Sequence, residues 1–429
     1  MNIECPALLL TAPASGHGKT SITAALARLH RRRGARVRCF KFGPDFIDPT
    51  ILLQATGQPV YNLDTWMMGV EHCRGLLFEA AQDSDLILVE GAMGLFDGAP
   101  CSADLAQQFG LPILPVINAQ SMAQTFGALL HGLMTYRADL PFAGVVANRI
   151  ASPRHEQMVR EGLRTDIEVS VVARTDTALL PERHLGLHIA DEIADLDGRL
   201  DALADLLENT PLARLPAPVS FAPAATFDES EPLLDGMTIA VACDDAFCFL
   251  YLANLQWLQR MGARLQLFSP LDDKELPAAD AIYLPGGYPE LHARRLAANK
   301  RLRAAIGAHV NAGKPLLAEC GGMLYLGDAL VDLGGKTHEM LGLLPGSATM
   351  GKRLAAIGPQ ELDIEGATIR GHTYHYSSFA CALAPIAHAQ RPDGRAGEAV
   401  FRSGALTASY VHWYFPSNPA LVARWLSGE

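Results

Sequence analysis

The stretch "ALLLTAPASGHGKTS", residues 7–21, decides the architecture of the first half of the chain. An apolar run stops at Pro13 and a loop of small residues. Gly18, Lys19 and Thr20 then open a segment with Ile22, Leu26 and Leu29 on one face. Strand, glycine loop and helix in that order make a phosphate cradle. Gly16 and Gly18 let backbone N–H groups turn inward, Lys19 supplies a point charge, and Thr20 offers a hydroxyl to Mg²⁺ at a helix N-terminus. Ser15, Gly16, His17, Gly18, Lys19, Thr20 and Ser21 are therefore expected to bind a nucleotide. Pro13 stands where the usual pattern has Gly and removes one N–H, but the Gly-x-Gly-Lys-Thr core is intact.

Outward from this loop, apolar runs alternate with helix-length segments. "RVRCFKF" precedes "GPDFIDP", "DLILVE" precedes "GAMGLFDG", and "PILPVINA", "FAGVVANRI" and "VSVVAR" follow. Such spacing predicts a parallel, doubly wound α/β sheet, with ligands at the carboxyl ends of its strands. Acidic residues fall at those ends. Glu90 and Asp45 are expected to join Thr20 around Mg²⁺, and Asp48 and Asp97 to handle substrate.

Residues 208–236 hold five prolines among small and acidic residues and read as a linker. The alternation restarts with "MTIAVAC", so the expected domains are 1–207 and 237–429. A chain of 429 residues, 49% hydrophobic and 19% charged, is globular and long enough for two domains. Its net charge of −11 argues against nucleic acid as a partner. Eight scattered cysteines without a CxxC pair, a first apolar run too short for a bilayer and no charged leader point to the cytoplasm and to no membrane partner.

In the second half, "GKPLLAECGGMLYL" ends an apolar strand in Cys320, and Gly321-Gly322 allow a sharp turn into a helix. That is a nucleophile elbow, and the helix N-terminus is expected to lower the thiol pKa. His412 in "ASYVHWYFPSNP" is the expected base, with His372 and His375 in "RGHTYHYSS" as competitors. The turn "YLPGGYPEL" offers the N–H groups of Gly287 or Tyr288, which with that of Gly321 would form an oxyanion hole. Together these groups indicate acyl transfer through a thioester.

Taken together, "SGHGKT", "KFGPDFIDP", "VEGAMGLFDG", "LPERHLGL" (180–187), "CDDAFCFLYLANLQ", "LPGGYPEL", "AECGGMLYL", "RGHTYHYS" and "VHWYFPSNP" resemble the cobyrinic acid a,c-diamide synthase family over both domains. The resemblance implies a dethiobiotin-synthetase-like domain followed by a class I glutaminase-like domain. It also implies that Cys320 releases ammonia from glutamine and that the ammonia passes inside the protein to the first domain. There ATP–Mg²⁺ would activate the a and c carboxylates of cobyrinic or hydrogenobyrinic acid as acyl phosphates for amidation, in cobalamin biosynthesis. Asp45, Asp48, Glu90 and Asp97 would serve metal and carboxylate handling, and family analogy adds a homodimer. The wider class I glutaminases carry Glu two residues after the histidine, where this chain has Tyr414. A Cys–His dyad, or a third partner from elsewhere, is therefore expected. Readings kept open are the same chemistry on another ring, such as nickel-sirohydrochlorin, and a nucleotide-binding regulator with an inactive glutaminase half. The roles of Arg183 and Asn254 are open between binding and structure.

Overall fold

A computed structural model describes residues 1–175, 180–183, 186–187, 190–224 and 232–429. The chain forms two compact units, Met1–Phe227 and Asp228–Glu429.

The first unit runs β1 (Ile3–Thr11), α1 (Lys19–Arg32), β2 (Val37–Phe42), α2 (Asp48–Thr56), β3 (Tyr61–Leu63), α3 (Val70–Asp83), β4 (Leu86–Glu90), α4 (Ser102–Phe109), β5 (Ile113–Asn118), α5 (Thr125–Thr135), β6 (Val145–Ile150), α6 (Pro153–Glu161) and β7 (Val169–Ala173). The strands lie in the order β3-β2-β4-β1-β5-β6-β7, all parallel. β1 is central, with Leu8 opposite Leu88 and Leu10 opposite Leu114. Ala7, Leu9 and Leu10 are wholly buried, as expected for a strand covered on both faces. The short ribbon β8 (Glu182–Arg183) and β9 (Gly186–Leu187) falls in the "LPERHLGL" motif. The side chain of Arg183 lies outside the described residues.

Part of the presumed linker is built into this unit. After α7 (Leu196–Asp205), β10 (Pro218–Phe221) pairs antiparallel with Ile3–Pro6 of β1. Val219 and Phe221 are buried while Pro218 and Ser220 face out, a period-two pattern hidden among the prolines. Pro218 is tolerated as the first residue of an edge strand. The boundary between the units thus falls later than the start of the proline-rich stretch.

The second unit runs β11 (Thr238–Ala242), α8 (Leu252–Arg260), β12 (Arg264–Phe268), β13 (Ala281–Leu284), α9 (Ala293–Ala298), α10 (Lys300–Asn311), β14 (Leu316–Glu319), α11 (Gly321–Leu326), β15 (Ala329–Val331), β16 (Thr337–Glu339), β17 (Gly346–Met350), β18 (Ala356–Ile364), β19 (Ala367–His375), β20 (Ser377–Cys381), β21 (Ala387–Gln390), β22 (Ala396–Ser403), β23 (Leu406–Ser409), β24 (His412–Trp413) and α12 (Pro419–Ser427). The main sheet has the order β12-β11-β13-β14-β23-β22-β21-β18-β19-β24. It is parallel as far as β23 and antiparallel beyond. α9 and α10 meet at Asn299, whose buried amide donates to the carbonyls of Pro270 and Asp273. Along β14 the side chains alternate between two cores. Leu316 and Ala318 join one, and Leu317 joins the other with Tyr283, Trp413 and Phe415. Among the described residues no helix is long and apolar enough to cross a membrane.

Candidate functional site

In the first unit the loop after β1 is pinned from β5 and β6. Asn118 N–H donates to His17 Nδ1 at 2.9 Å, and the Asn148 amide donates to the His17 carbonyl at 3.0 Å. Gly18 takes φ 89°, and a Cβ there would lie 2.6 Å from Asn148 Nδ2. An alanine at position 18 would strain the backbone by about 1–2 kcal/mol and push against that amide. Gly18→Ala is accordingly expected to weaken nucleotide binding by roughly tenfold or more, measured by calorimetry. Lys19 folds across the loop and donates to the carbonyls of Met93 (2.6 Å) and Ala14 (3.4 Å). Ser15 is exposed in the loop, and Ser21 lies in the first turn of α1.

Beneath the loop sits a buried charge cluster. Thr20 Oγ1 donates to Glu90 Oε1 at 2.7 Å, and Lys41 Nζ donates to the same oxygen at 3.1 Å and to Asp48 Oδ2 at 2.6 Å. Glu90 is fully buried, and burial pushes its carboxyl up to about 7 against the pull of Lys41. Burial pulls Lys41 down, but Asp48 and Glu90 outweigh it and hold the ammonium above its ordinary value. Asp45 lies 4.0 Å from Lys41, and its Oδ1 accepts the N–H groups of Ile47 and Asp48. Asp97 is set apart from this cluster and accepts Gly94 N–H at 2.9 Å, folding its own loop.

Among the described residues no group of three or more His, Cys, Asp or Glu could hold a metal by itself. Glu90 Oε2, however, is buried without a hydrogen-bond partner next to the Thr20 hydroxyl. Two oxygen donors with an orphaned carboxylate oxygen fit Mg²⁺, which takes its other oxygens from water and phosphate. Asp45 is engaged at the start of α2 and stands near this pair only through Lys41.

In the second unit Cys320 joins β14 to α11 with φ 43° and ψ −108°. A side chain at positive φ stores on the order of 1–3 kcal/mol of strain. The turn needs its glycines. A Cβ at Gly321 would lie 3.0 Å from Gly287 N, and one at Gly322 would lie 2.2 Å from the Leu284 carbonyl. Gly287 itself is pressed on the Ala246 carbonyl, and Tyr288 packs edge-on against Phe249. Cys320 N–H donates to the Ser409 carbonyl at 2.8 Å, three residues before His412. The imidazole of His412 lies on Gly286, where a Cβ would meet Cε1 at 2.2 Å.

The electrostatics differ from the sequence expectation. Burial pushes the Cys320 thiol up, Glu290 adds to this, and the Gly321 N–H opposes it. The helix N-terminus acts in the expected direction, but α11 is a short helix and burial outweighs it. Burial, with His372 and His375 adding, pulls His412 down to about 3. The two groups rest as neutral thiol and neutral imidazole. Of the competing histidines, His375 is held by Glu398 (3.1 Å) and the Ser377 carbonyl (2.8 Å) and stacks on Tyr410 at 3.6 Å. His372 sits opposite His412 in the β19–β24 ladder.

Residues 8–187 match the CobQ/CobB/MinD/ParA nucleotide binding domain, and residues 238–420 match the CobB/CobQ-like glutamine amidotransferase domain. The chain is 57% identical over 425 residues to the hydrogenobyrinate a,c-diamide synthase of Stutzerimonas stutzeri (strain A1501), covering 99% of each. It is 55% identical over 429 residues to the protein of that name from Pseudomonas aeruginosa, covering 99% of this chain and 98% of that one. It is 49% identical over 426 residues to the cobyrinate a,c-diamide synthase of Herminiimonas arsenicoxydans, covering 98% and 97%. The chain belongs to the a,c-diamide synthase family. It is a glutamine-dependent, amide-forming ligase with a nucleotide-binding half.

The chain carries three buried polar side chains whose roles its motifs do not report. Lys41 was legible as a lone charge near the end of an apolar strand. Glu319, directly before Cys320, accepts Trp413 N–H (3.1 Å) and the Tyr283 hydroxyl (2.8 Å). Asn254 donates to the Trp413 carbonyl (2.7 Å) and accepts Phe415 N–H (2.9 Å), holding the backbone on both sides of Tyr414. Gly286→Ala is expected to displace His412. Glutamine-dependent turnover should fall about 100-fold while ammonia-dependent turnover stays near wild type. Parallel assays with the two nitrogen donors check this.

Proposed function

We propose that the protein amidates the a and c carboxylates of hydrogenobyrinic acid, with cobyrinic acid as the second choice of ring, using ATP–Mg²⁺ and glutamine. The setting is the cytoplasm and, by family analogy, a homodimer. One observation carries the reading: the full-length likeness to named synthases takes in both the Cys320 elbow and the phosphate loop over Glu90.

In this reading Cys320 Sγ attacks the side-chain carbonyl of glutamine as its proton passes to His412. The N–H groups of Gly287, Tyr288 and Gly321 receive the oxyanion. Ammonia leaves, and water releases glutamate from the thioester. In the first unit residues 15–21 hold the nucleotide, with Lys19 at its phosphates. Thr20 and Glu90 would hold Mg²⁺, and the ion would supply positive charge to offset that of the phosphates. Lys41 would offset the charge of the ring carboxylate, Asp48 and Asp45 would keep it in place, and Asp97 would shape the loop at 91–98. The activated carboxylate is an acyl phosphate, which ammonia converts to the amide. Ring carboxylates labelled with ¹⁸O should therefore pass one label to inorganic phosphate for each amide formed. Unlabelled phosphate would overturn the acyl-phosphate step.

The resting protonation states set the pH dependence. The competent pair is a protonated thiol with a neutral imidazole. It is fully populated above the His412 value of about 3 and below the raised value of the thiol. Glutamine kcat/KM is expected to stay within about twofold between pH 6 and 8.5, whereas attack by free thiolate would give about tenfold per pH unit.

A further inference from the structure

Glu319 is a carboxyl group on the apolar side of its strand. Leu317 on the same side packs with Tyr283, Trp413 and Phe415, and Glu319 is 1% exposed. Burial pushes it up to about 8, with the Tyr283 hydroxyl and Trp413 N–H pulling the other way. An acid in such surroundings destabilises the fold relative to an apolar residue of similar size. Its two oxygens are both used. One accepts from the peptide next to His412, and the other from Tyr283 on the neighbouring strand. Asn254 grips the far side of the same segment through Trp413 and Phe415.

Resting on the glutaminase reading above, we propose that Glu319 is a positioning residue for the base. Together with Asn254 it fixes the backbone of 412–415, so that the His412 ring stays on Gly286 beside the Cys320 turn. The position after the histidine where wider glutaminases carry Glu is Tyr414 here, and the acid comes instead from the nucleophile's own strand. Because Glu319 is bonded directly to Cys320, one residue ties the spacing of nucleophile and base. It acts on the peptide of residue 413, not on the ring.

The test compares Glu319→Leu, Glu319→Gln and Asn254→Ala with wild type, using glutamine or ammonia as nitrogen donor on the full chain. Glu319→Leu removes both acceptors, and glutamine-dependent kcat should fall about 100-fold with glutamine KM within about threefold. Ammonia-dependent kcat should not move. Glu319→Gln keeps an acceptor for Trp413 N–H and should recover kcat to within about fivefold of wild type. Asn254→Ala should show the same split as Glu319→Leu, and decides the matter if the leucine variant does not fold. The proposal is overturned by a leucine variant within about threefold of wild type in kcat, by a change confined to KM, or by a glutamine variant as slow as the leucine one. A loss with ammonia as large as with glutamine in Asn254→Ala would overturn it too. A wild-type protein that uses ammonia but not glutamine would instead sink the reading on which the proposal rests.

Discussion

Cys320→Ser is expected to remove glutamine-dependent amidation, by at least about 1,000-fold, and to leave amidation from free ammonia within about twofold of wild type. The substitution exchanges one atom at a residue that is 5% exposed, so packing around the elbow is retained. A hydroxyl is a much weaker nucleophile than a thiol when the base beside it is a buried imidazole pulled down to about 3. In the proposed mechanism the first unit does not use Cys320, so only the source of nitrogen would be lost. Equal loss with both donors would contradict the division of labour. Retained glutamine use would remove Cys320 from the chemistry.

The second large effect is expected at Lys41. Lys41→Met leaves Asp48 and the fully buried Glu90 without their shared cation. Removing one partner of a buried pair typically destabilises by about 3–5 kcal/mol, and amidation from either nitrogen donor should fall together. The pH dependence has a definite sign. Burial alone would raise Asp48, but Lys41 holds its carboxyl below the ordinary value. That contribution is present above the ordinary carboxylate pKa and is lost as pH falls through the depressed one. The variant's deficit in urea unfolding should therefore shrink toward acid pH and persist at neutrality. Labelling of Cys320 by a glutamine-like electrophile should be unaffected, and an equal loss there would contradict a role for Lys41 confined to the first unit.

What could be read beforehand followed from local pattern. The strand before Gly16 and the glycine pair after Cys320 are local devices, and each appears where its spacing put it. Position 320 even adopts the strained backbone that an elbow needs. Long-range effects were out of reach. Nothing local in "PVSF" shows that it returns to β1, since the pairing joins residues more than two hundred positions apart. The direction of the Cys320 shift depends on how deeply the turn is buried, which a motif does not report. Glu319 was visible in "AECGG", but its partners are supplied by β13 and β24. Asp45 and Asp97 look alike in sequence to Glu90, and only the structure shows that one oxygen of each accepts backbone N–H groups of its own loop.

The most direct test is amide product by mass spectrometry, with ATP, Mg²⁺ and glutamine, on hydrogenobyrinic acid and cobyrinic acid in parallel. The account predicts a diamide, formed faster from hydrogenobyrinic acid, with two ADP released per product. ATP and glutamine consumed with neither ring amidated would contradict the substrate, and no consumption of any component would contradict the ligase itself.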